Sequence, residues 1–248
     1  MDTTAGNAAK KIALVTGANK GIGLEIARQL GQAGFTVFLG ARNAALGEAA
    51  AAKLRANSLD VRCVELDLGN ASTIAAAAKT IEALGGRLDV LVNNAGIADG
   101  ADGPPSTANI DAVRRVMETN FVGTLAVTQA MLPLLKTAPA ARIVNLSSGL
   151  GSLQWNSDPN WAFAPYKLLG YNASKAALNM LTVQLAYELR DTPIKVNSAN
   201  PGYTATDMNG HQGNQTIEEG AAESMRLALL PADGPTGGFF ETGAVDPW

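Results

Sequence analysis

Short apolar runs alternate with stretches of helical periodicity from one end of the chain to the other, and this alternation constrains the fold more than any other feature. Ile12 to Val15 is apolar throughout and is closed by Thr16-Gly17, the pattern of a strand buried on both faces. Ile22, Ile26 and Leu30 then recur every four residues, and Gly31 and Gly34 end that helix. The alternation continues with a strand at Phe35 to Leu39, a helix at Ala44 to Ala56, a strand at Val61 to Leu66 and a helix at Ser72 to Leu84. Strands follow at Leu88 to Val92 and Ile143 to Leu146, with helical patterns between them around Val113 to Leu135, where Pro133 is expected to mark a fraying end. A long helix runs on from Tyr171 to about Arg190, then come a strand at Lys195 to Ser198, a helix near Glu218 to Leu230 and a last strand at Gly238 to Phe240. This order implies an α/β chain of the Rossmann type: one doubly wound, mostly seven-stranded parallel sheet with helices on both faces.

At 248 residues the chain suffices for one such domain over 1–248, with 1–10 as a flexible tail. Asp99 to Pro105, Gln154 to Pro165 and Gly202 to Asn214 look like surface loops rather than linkers. An apolar fraction of 47% with 17% charged residues is that of a soluble globular protein. The net charge of −3 provides no basic footprint for nucleic acid or anionic membrane. With no leader-like or membrane-spanning stretch, a cytoplasmic location is expected. The single cysteine, Cys63, forms no intrachain disulfide and is read as a buried structural thiol in the third strand.

Between the first strand and the first helix lies Thr16-Gly17-Ala18-Asn19-Lys20-Gly21-Ile22-Gly23. Glycines here permit a tight turn and let backbone N–H groups approach a pyrophosphate at the positive helix end. A site preferring NAD carries an acidic residue about 20 positions on, for the ribose 2′-OH. No Asp or Glu occurs here between Glu25 and Glu48, and the second strand runs into Gly40-Ala41-Arg42. Arg42 can pair bidentately with a 2′-phosphate and Lys20 adds a second cation, so NADP(H) is the expected cofactor. No metal site is expected.

Tyr171 precedes Lys175 by one helical turn, which puts both side chains on one face. Of the chain's tyrosines only Tyr171 has a lysine four places later. A free phenol, with a pKa of ~10, is a poor proton donor or acceptor at neutral pH, and an adjacent ammonium is expected to pull that value down.

Taken with Asn93-Asn94-Ala95-Gly96 after the fourth strand, Asn120 in the following helix, Ser147-Ser148 after the fifth and Pro201-Gly202 after the sixth, these motifs resemble the short-chain dehydrogenase/reductase family over essentially the whole chain. The resemblance implies catalytic roles for Asn120, Ser148, Tyr171 and Lys175. Tyr171 would be the general acid or base, Lys175 would lower its pKa and bond the nicotinamide ribose, Ser148 would donate to the substrate oxygen, and Asn120 would hold a water leading to Lys175. It also implies a cofactor site built from Gly17, Asn19, Lys20, Gly21, Ile22, Gly23, Arg42, Asp67 and Leu68 at the adenine, and Asn94, Ala95 and Gly96. Asn93 would reach the adenosine ribose region. Tyr171, Lys175, Pro201, Gly202, Thr204 and Thr206 would complete the site, the two threonines at the carboxamide or phosphates.

From Ser148 to Tyr171 is 23 positions, about ten more than many family members have, and the added segment carries Trp155, Pro159, Trp161, Phe163 and Pro165. That length, with Asn19-Lys20 in the glycine turn, is similar to the carbonyl-reductase-like branch, which acts on ketones and aldehydes. The segment either walls the substrate pocket or plugs the core, and it leaves monomer and homo-oligomer both open. His211, the only histidine, is read as an exposed loop residue, and Met208 and Tyr203 either line the pocket or pack locally. The expected function is reversible hydride transfer between NADP(H) and a small ketone or aldehyde. The competing readings are a dehydrogenase of one hydroxylated metabolite (steroid, sugar or acyl chain) and a catalytically inactive dinucleotide sensor.

Overall fold

Each apolar run does become a strand, and the helices between them force the strands to run parallel. The computed structural model describes residues 10–248. The expected tail at 1–10 falls outside those residues apart from Lys10, which pairs with Asp60 at 3.3 Å. In chain order the elements are β1 (Ile12–Val15), α1 (Gly21–Gln32), β2 (Thr36–Ala41), α2 (Ala44–Arg55), β3 (Val61–Glu65), α3 (Ala71–Gly85) and β4 (Val90–Asn93). There follow α4 (Ile110–Met117), a π-helical turn (Glu118–Gly123), α5 (Thr124–Thr137), β5 (Arg142–Leu146), α6 (Leu153–Ser157), α7 (Leu169–Glu188), β6 (Lys195–Ala199), α8 (Ile217–Ala228), β7 (Phe239–Glu241) and β8 (Ala244–Val245).

The sheet order is β3-β2-β1-β4-β5-β6-β7-β8. Val15 stands beside Leu39 on one side and Val92 on the other, so the chain changes direction across the sheet between β1 and β4. Open α/β sheets bind ligands at such a switch, outside the carboxyl ends of the strands. The seven expected strands are parallel. An eighth, β8, turns back antiparallel on β7, with Phe240 opposite Val245. Two exposed residues after the Gly243 turn (φ +82) carry too little periodicity to be read from sequence.

Side chains of adjacent strand residues leave on opposite faces. Ala13, Val15, Val37 and Leu39 pack with Ile26 and Leu30 of α1, Ala51 and Leu54 of α2, and Met225 and Leu227 of α8. Leu14, Phe38 and Leu91 pack on the other face with Ile74 and Ile81 of α3, Met131 and Leu135 of α5, and Leu185 of α7. Each such large apolar side chain taken from water contributes ~2 kcal/mol, and it is this two-sided burial that holds the strand ends in place.

Three expectations need correction. Pro133 does not mark a fraying end: α5 continues to Thr137, because the carbonyl left without a donor is that of exposed Gln129, open to water. Cys63 is half-buried rather than buried, since β3 is the edge strand and its outer side chains meet solvent. The stretch from Gln154 is not all loop: Ser152 accepts from the Trp155 N–H at 3.1 Å and caps the short helix α6.

Candidate active site

The parallel strands β1 to β6 each end at a segment that the sequence marks. After β1 comes the glycine turn, after β2 Arg42, after β3 Asp67 and Leu68, after β4 Asn94 to Gly96, after β5 Ser148, and after β6 Pro201 to Thr206. The fold therefore brings the expected residues to one edge of the sheet.

The glycine turn is built for close backbone approach. Gly17 has φ +63, and a Cβ there would lie 2.8 Å from the Ala95 Cα. A side chain at Gly23 would overlap the Asn94 amide, which donates to the carbonyls of Thr16 (2.8 Å) and Gly17 (3.1 Å). Thr16 Oγ1 in turn accepts from the N–H groups of Asn94 and Ala95. Helix α1 begins with no side-chain cap and no acidic residue in its first turn. Its first N–H groups thus face out from the positive end of the helix dipole, which fits a dinucleotide pyrophosphate. Asn19 is half-buried in the turn, and Arg42 is exposed at its flank. Lys20 is exposed too, and its ammonium is paired with Asp207 at 2.6 Å. Asp207 also meets His211 Nε2 at 2.9 Å, so the loop after β6 is tied back to the glycine turn. Asp67 is half-buried and bonds the Gly69 N–H, while Leu68 is buried against Gly123.

On α7, Tyr171 and Lys175 share a face as expected, and the Lys175 ammonium lies 5.7 Å from the centre of the Tyr171 ring. Lys175 is 5% exposed and donates to the Leu146 carbonyl at 2.7 Å. Burial lowers its pKa to about 8, which leaves it an ammonium at neutral pH. The expected effect on the tyrosine needs correction. Burial is the largest influence on the phenol and raises its pKa; the hydrogen bond from Ser148 opposes it by favouring the phenolate.

Asn120 lies in the π-helical turn between α4 and α5, where the wider coil interrupts a regular α-helix. Its amide makes three hydrogen bonds: Oδ1 accepts from Ile97 N–H at 2.8 Å, and Nδ2 donates to the Ile97 carbonyl and to Ser174 Oγ. Gly96 closes this corner, since a Cβ there would lie 3.3 Å from Asn120 Oδ1 and 3.6 Å from Lys175 Nζ.

Some expected contacts are not made by the side chains named. Asn93 does not reach out towards a ribose: it is buried and donates to Thr128 and Asn145 beneath the site. Thr204 is buried and donates to the Pro201 carbonyl at 2.8 Å, so Thr206, half-buried, is the more available hydroxyl. Met208 is exposed, and His211 is exposed as expected. Conversely, sequence reasoning missed Asp102, whose carboxylate receives the Gly170 (3.0 Å) and Tyr171 (2.9 Å) N–H groups and caps α7 from a loop far off in sequence. A cap at that separation leaves no local signal.

The added segment joins the site through rings. Trp155 stacks on Trp161 (5.4 Å), Trp161 meets Phe163 (5.5 Å), and Phe163 meets Tyr203 edge-on (5.6 Å). A Cβ at Gly149 would lie 2.8 Å from the Trp155 ring, so this ladder begins beside Ser148.

A doubly wound sheet with a serine, a tyrosine and a buried ammonium gathered at its switch-point edge is the frame of a dinucleotide oxidoreductase. The family description "short chain dehydrogenase" matches residues 11–216. The chain is 34% identical to the NADPH carbonyl reductase 1 of Mus musculus over 281 aligned residues, covering 98% of this chain and 100% of that one. It is 36% identical to a short-chain dehydrogenase of Penicillium roqueforti over 225 residues, 88% of each chain. Among solved structures, NADPH-bound carbonyl reductase from chicken fatty liver superposes with a TM-score of 0.84 at 30% identity, covering 96% of this chain and 99% of that one. Salutaridine reductase from Papaver somniferum gives a TM-score of 0.81 at 31% identity, covering 93% and 99%. The chain belongs to the short-chain dehydrogenase/reductase family, whose relatives here are reductases and dehydrogenases acting on carbonyl and hydroxyl groups.

Proposed function

We propose that this protein is an NADPH-dependent carbonyl reductase, reversible as an alcohol dehydrogenase, with Tyr171 as its general acid and base. The observation that carries the reading is the trio at the sheet edge, with Ser148 near enough to Tyr171 to favour its phenolate and the Lys175 ammonium 5.7 Å from the phenol ring. Two hydroxyl donors at one point suit an oxygen on which negative charge develops. NADPH would supply the hydride to the carbonyl carbon. Tyr171 delivers its proton to the carbonyl oxygen while Ser148 donates a second hydrogen bond to the same atom. Lys175, charged at neutral pH, stabilises the phenolate that remains. Its link to the Leu146 carbonyl fixes the ammonium in place. In the alcohol-oxidising direction Tyr171 takes the proton back.

The residues fit the cofactor. The uncapped start of α1, with Gly17, Asn19, Gly21, Ile22 and Gly23, would hold the pyrophosphate; Lys20 and Arg42 would pair with a 2′-phosphate; Asp67, Leu68, Asn94, Ala95 and Gly96 would hold the adenosine half; Pro201, Gly202 and Thr206 would hold the nicotinamide. A small-molecule ketone or aldehyde enters beside Trp155 and Phe163. Among the described residues no helix is long and apolar enough to cross a membrane.

Tyr171→Phe is expected to keep NADPH binding and lose ~10²-fold or more in turnover, the usual contribution of a positioned acid. Retention of near-normal turnover in that variant refutes the assignment. Arg42→Ala is expected to weaken NADPH ~10-fold with little change for NADH, since a charge-assisted bond is worth ~1.5 kcal/mol. A preference for NADH that Arg42→Ala leaves unchanged removes the cofactor assignment.

A further inference from the structure

The turn Asn200-Pro201-Gly202 leads from β6 into the segment assigned above to the nicotinamide end of the cofactor. Its conformation is set by a side chain with no place in the scheme so far. Asn200 Oδ1 accepts from the Gly202 N–H at 3.1 Å, closing a two-residue turn on itself around Pro201. Gly202 sits there with φ +67. The other end of the same amide faces two carboxylates: Nδ2 donates to Glu241 Oε2 at 3.0 Å and to Asp246 Oδ2 at 2.9 Å. Asn200 is 6% exposed and Asp246 5%, so these bonds form away from water. The donor end also packs on the catalytic edge, since a Cβ at Gly149 would come within 3.3 Å of Nδ2.

We propose that Asn200 is a positioning residue for the cofactor-flanking turn, its amide locked in one orientation by the Glu241–Asp246 carboxylate pair so that its oxygen holds the Gly202 N–H. The lock is electrostatic. A flipped amide would direct its carbonyl oxygen at two carboxylates and its NH2 at an N–H donor, losing three hydrogen bonds at once. Both carboxylates are ordinary-length acceptors, and bonds to the charged form are stronger than bonds to the neutral form. The inference rests on the cofactor reading above, because it concerns the turn that reading assigns to the dinucleotide.

The charged groups around the lock come from three elements. Glu241 ends β7, Asp246 follows β8, and Glu223 on α8 is paired through its carboxylate with Arg226, whose guanidinium covers the Phe240 ring. Burial raises the pKa of Glu241, and burial with the neighbouring Glu241 and Glu223 charges brings Asp246 up to about 6 against the bond from Asn200. Asp246 is therefore ionised above pH ~6 and loses its charge as pH falls through that value. Dinucleotide affinity should follow it, tight above and weaker below.

Calorimetric titration of the full chain with NAD+ between about pH 5.5 and pH 8 tests this, and a dinucleotide without the 2′-phosphate avoids that group's own ionisation near pH ~6. Wild type is expected to bind about threefold more weakly at the acid end, the difference between a charged and a neutral acceptor. Asp246→Asn, which keeps an acceptor oxygen without the charge, is expected to bind about threefold more weakly than wild type at pH 8 and to have lost the pH dependence. If Asp246→Asn does not fold, Glu241→Gln is expected to bind about threefold more weakly than wild type at pH 8 and to move the remaining pH dependence to lower pH, since the Glu241 charge helps to raise Asp246. A purely structural role would lower the melting temperature and leave the pH profile in place, and that outcome overturns the inference. So does a wild-type affinity independent of pH. If wild type binds neither NAD+ nor NADP+, the functional reading falls along with the inference; binding with an unaltered variant profile removes the inference alone.

Discussion

Lys175→Met should make the free protein more stable while removing its chemistry. The side chain is 5% exposed, and burial moves its pKa from 10.5 to about 8. At ~1.4 kcal/mol per pH unit, that gap means burial disfavours the ammonium by ~3 kcal/mol at neutral pH. Against this stands the bond to the Leu146 carbonyl, whose loss costs ~1 kcal/mol. Methionine nearly matches the length and brings no charge, so the net gain is ~2 kcal/mol, or a rise of ~4–8 °C in Tm for a chain of this size. The pH dependence gives the sharper discrimination. Because the folded-state pKa lies below the unfolded one, the unfolded chain binds more protons between pH 8 and 10.5, and wild-type stability rises with pH across that window. The methionine variant lacks this rise, so its advantage should shrink by more than half between about pH 7 and about pH 9.5. Urea titrations of both proteins without dinucleotide at the two pH values make the measurement. A variant no more stable than wild type at neutral pH, or an advantage equal at both, refutes the reasoning that the ammonium is held at a desolvation cost.

Asn120→Leu strands both backbone groups of Ile97, while the Ser174 hydroxyl keeps its donation to the Tyr171 carbonyl, and at ~1 kcal/mol or more for each stranded group it should lower stability by ~2 kcal/mol in the same urea titrations. A loss under ~1 kcal/mol would mean that water takes over those bonds. Gly149→Ala pushes a methyl group to 2.8 Å from the Trp155 ring; kcat/KM for bulky aryl ketones should fall about tenfold relative to small aldehydes, and an unchanged ratio across a carbonyl panel would place the tryptophan outside the pocket. Asp207→Asn frees Lys20 from its partner, so KM for NADPH should fall about twofold at low salt, with no change at high salt or for NADH. Equal shifts for both cofactors would refute a role for Lys20 at the 2′-phosphate.

The architecture was legible because buried parallel strands need apolar runs and their crossovers need helical periodicity, and both are visible in single segments such as Ile12–Val15 and Ile22–Leu30. The motif residues were legible for a related reason. Most lie at the carboxyl end of a strand, so finding the strand places the residue, and Tyr171 and Lys175 are one turn apart on a single long helix. What escaped was long-range. Asp102 capping α7 and Asn200 gripping Glu241 and Asp246 depend on partners tens of residues away, and nothing near either residue announces them. The Tyr171 ionisation was misjudged because helical spacing reports which side chains share a face and is silent on how much water they lose. The π-helical turn at Asn120, whose Gly123 packs on Leu68, likewise has no signature in helix propensity.

All three tryptophans of this chain lie in ring stacks: Trp155 on Trp161 beside Ser148, and Trp248 on Phe239 of β7, its carbonyl bonded to Ser152 and Gln154. Two indoles stacked at 5.4 Å are placed to couple their electronic transitions, so that pair is expected to contribute to the near-ultraviolet circular dichroism of the molecule. If a carbonyl compound parts them on binding, the change is expected to register optically, without a label, one residue from Ser148.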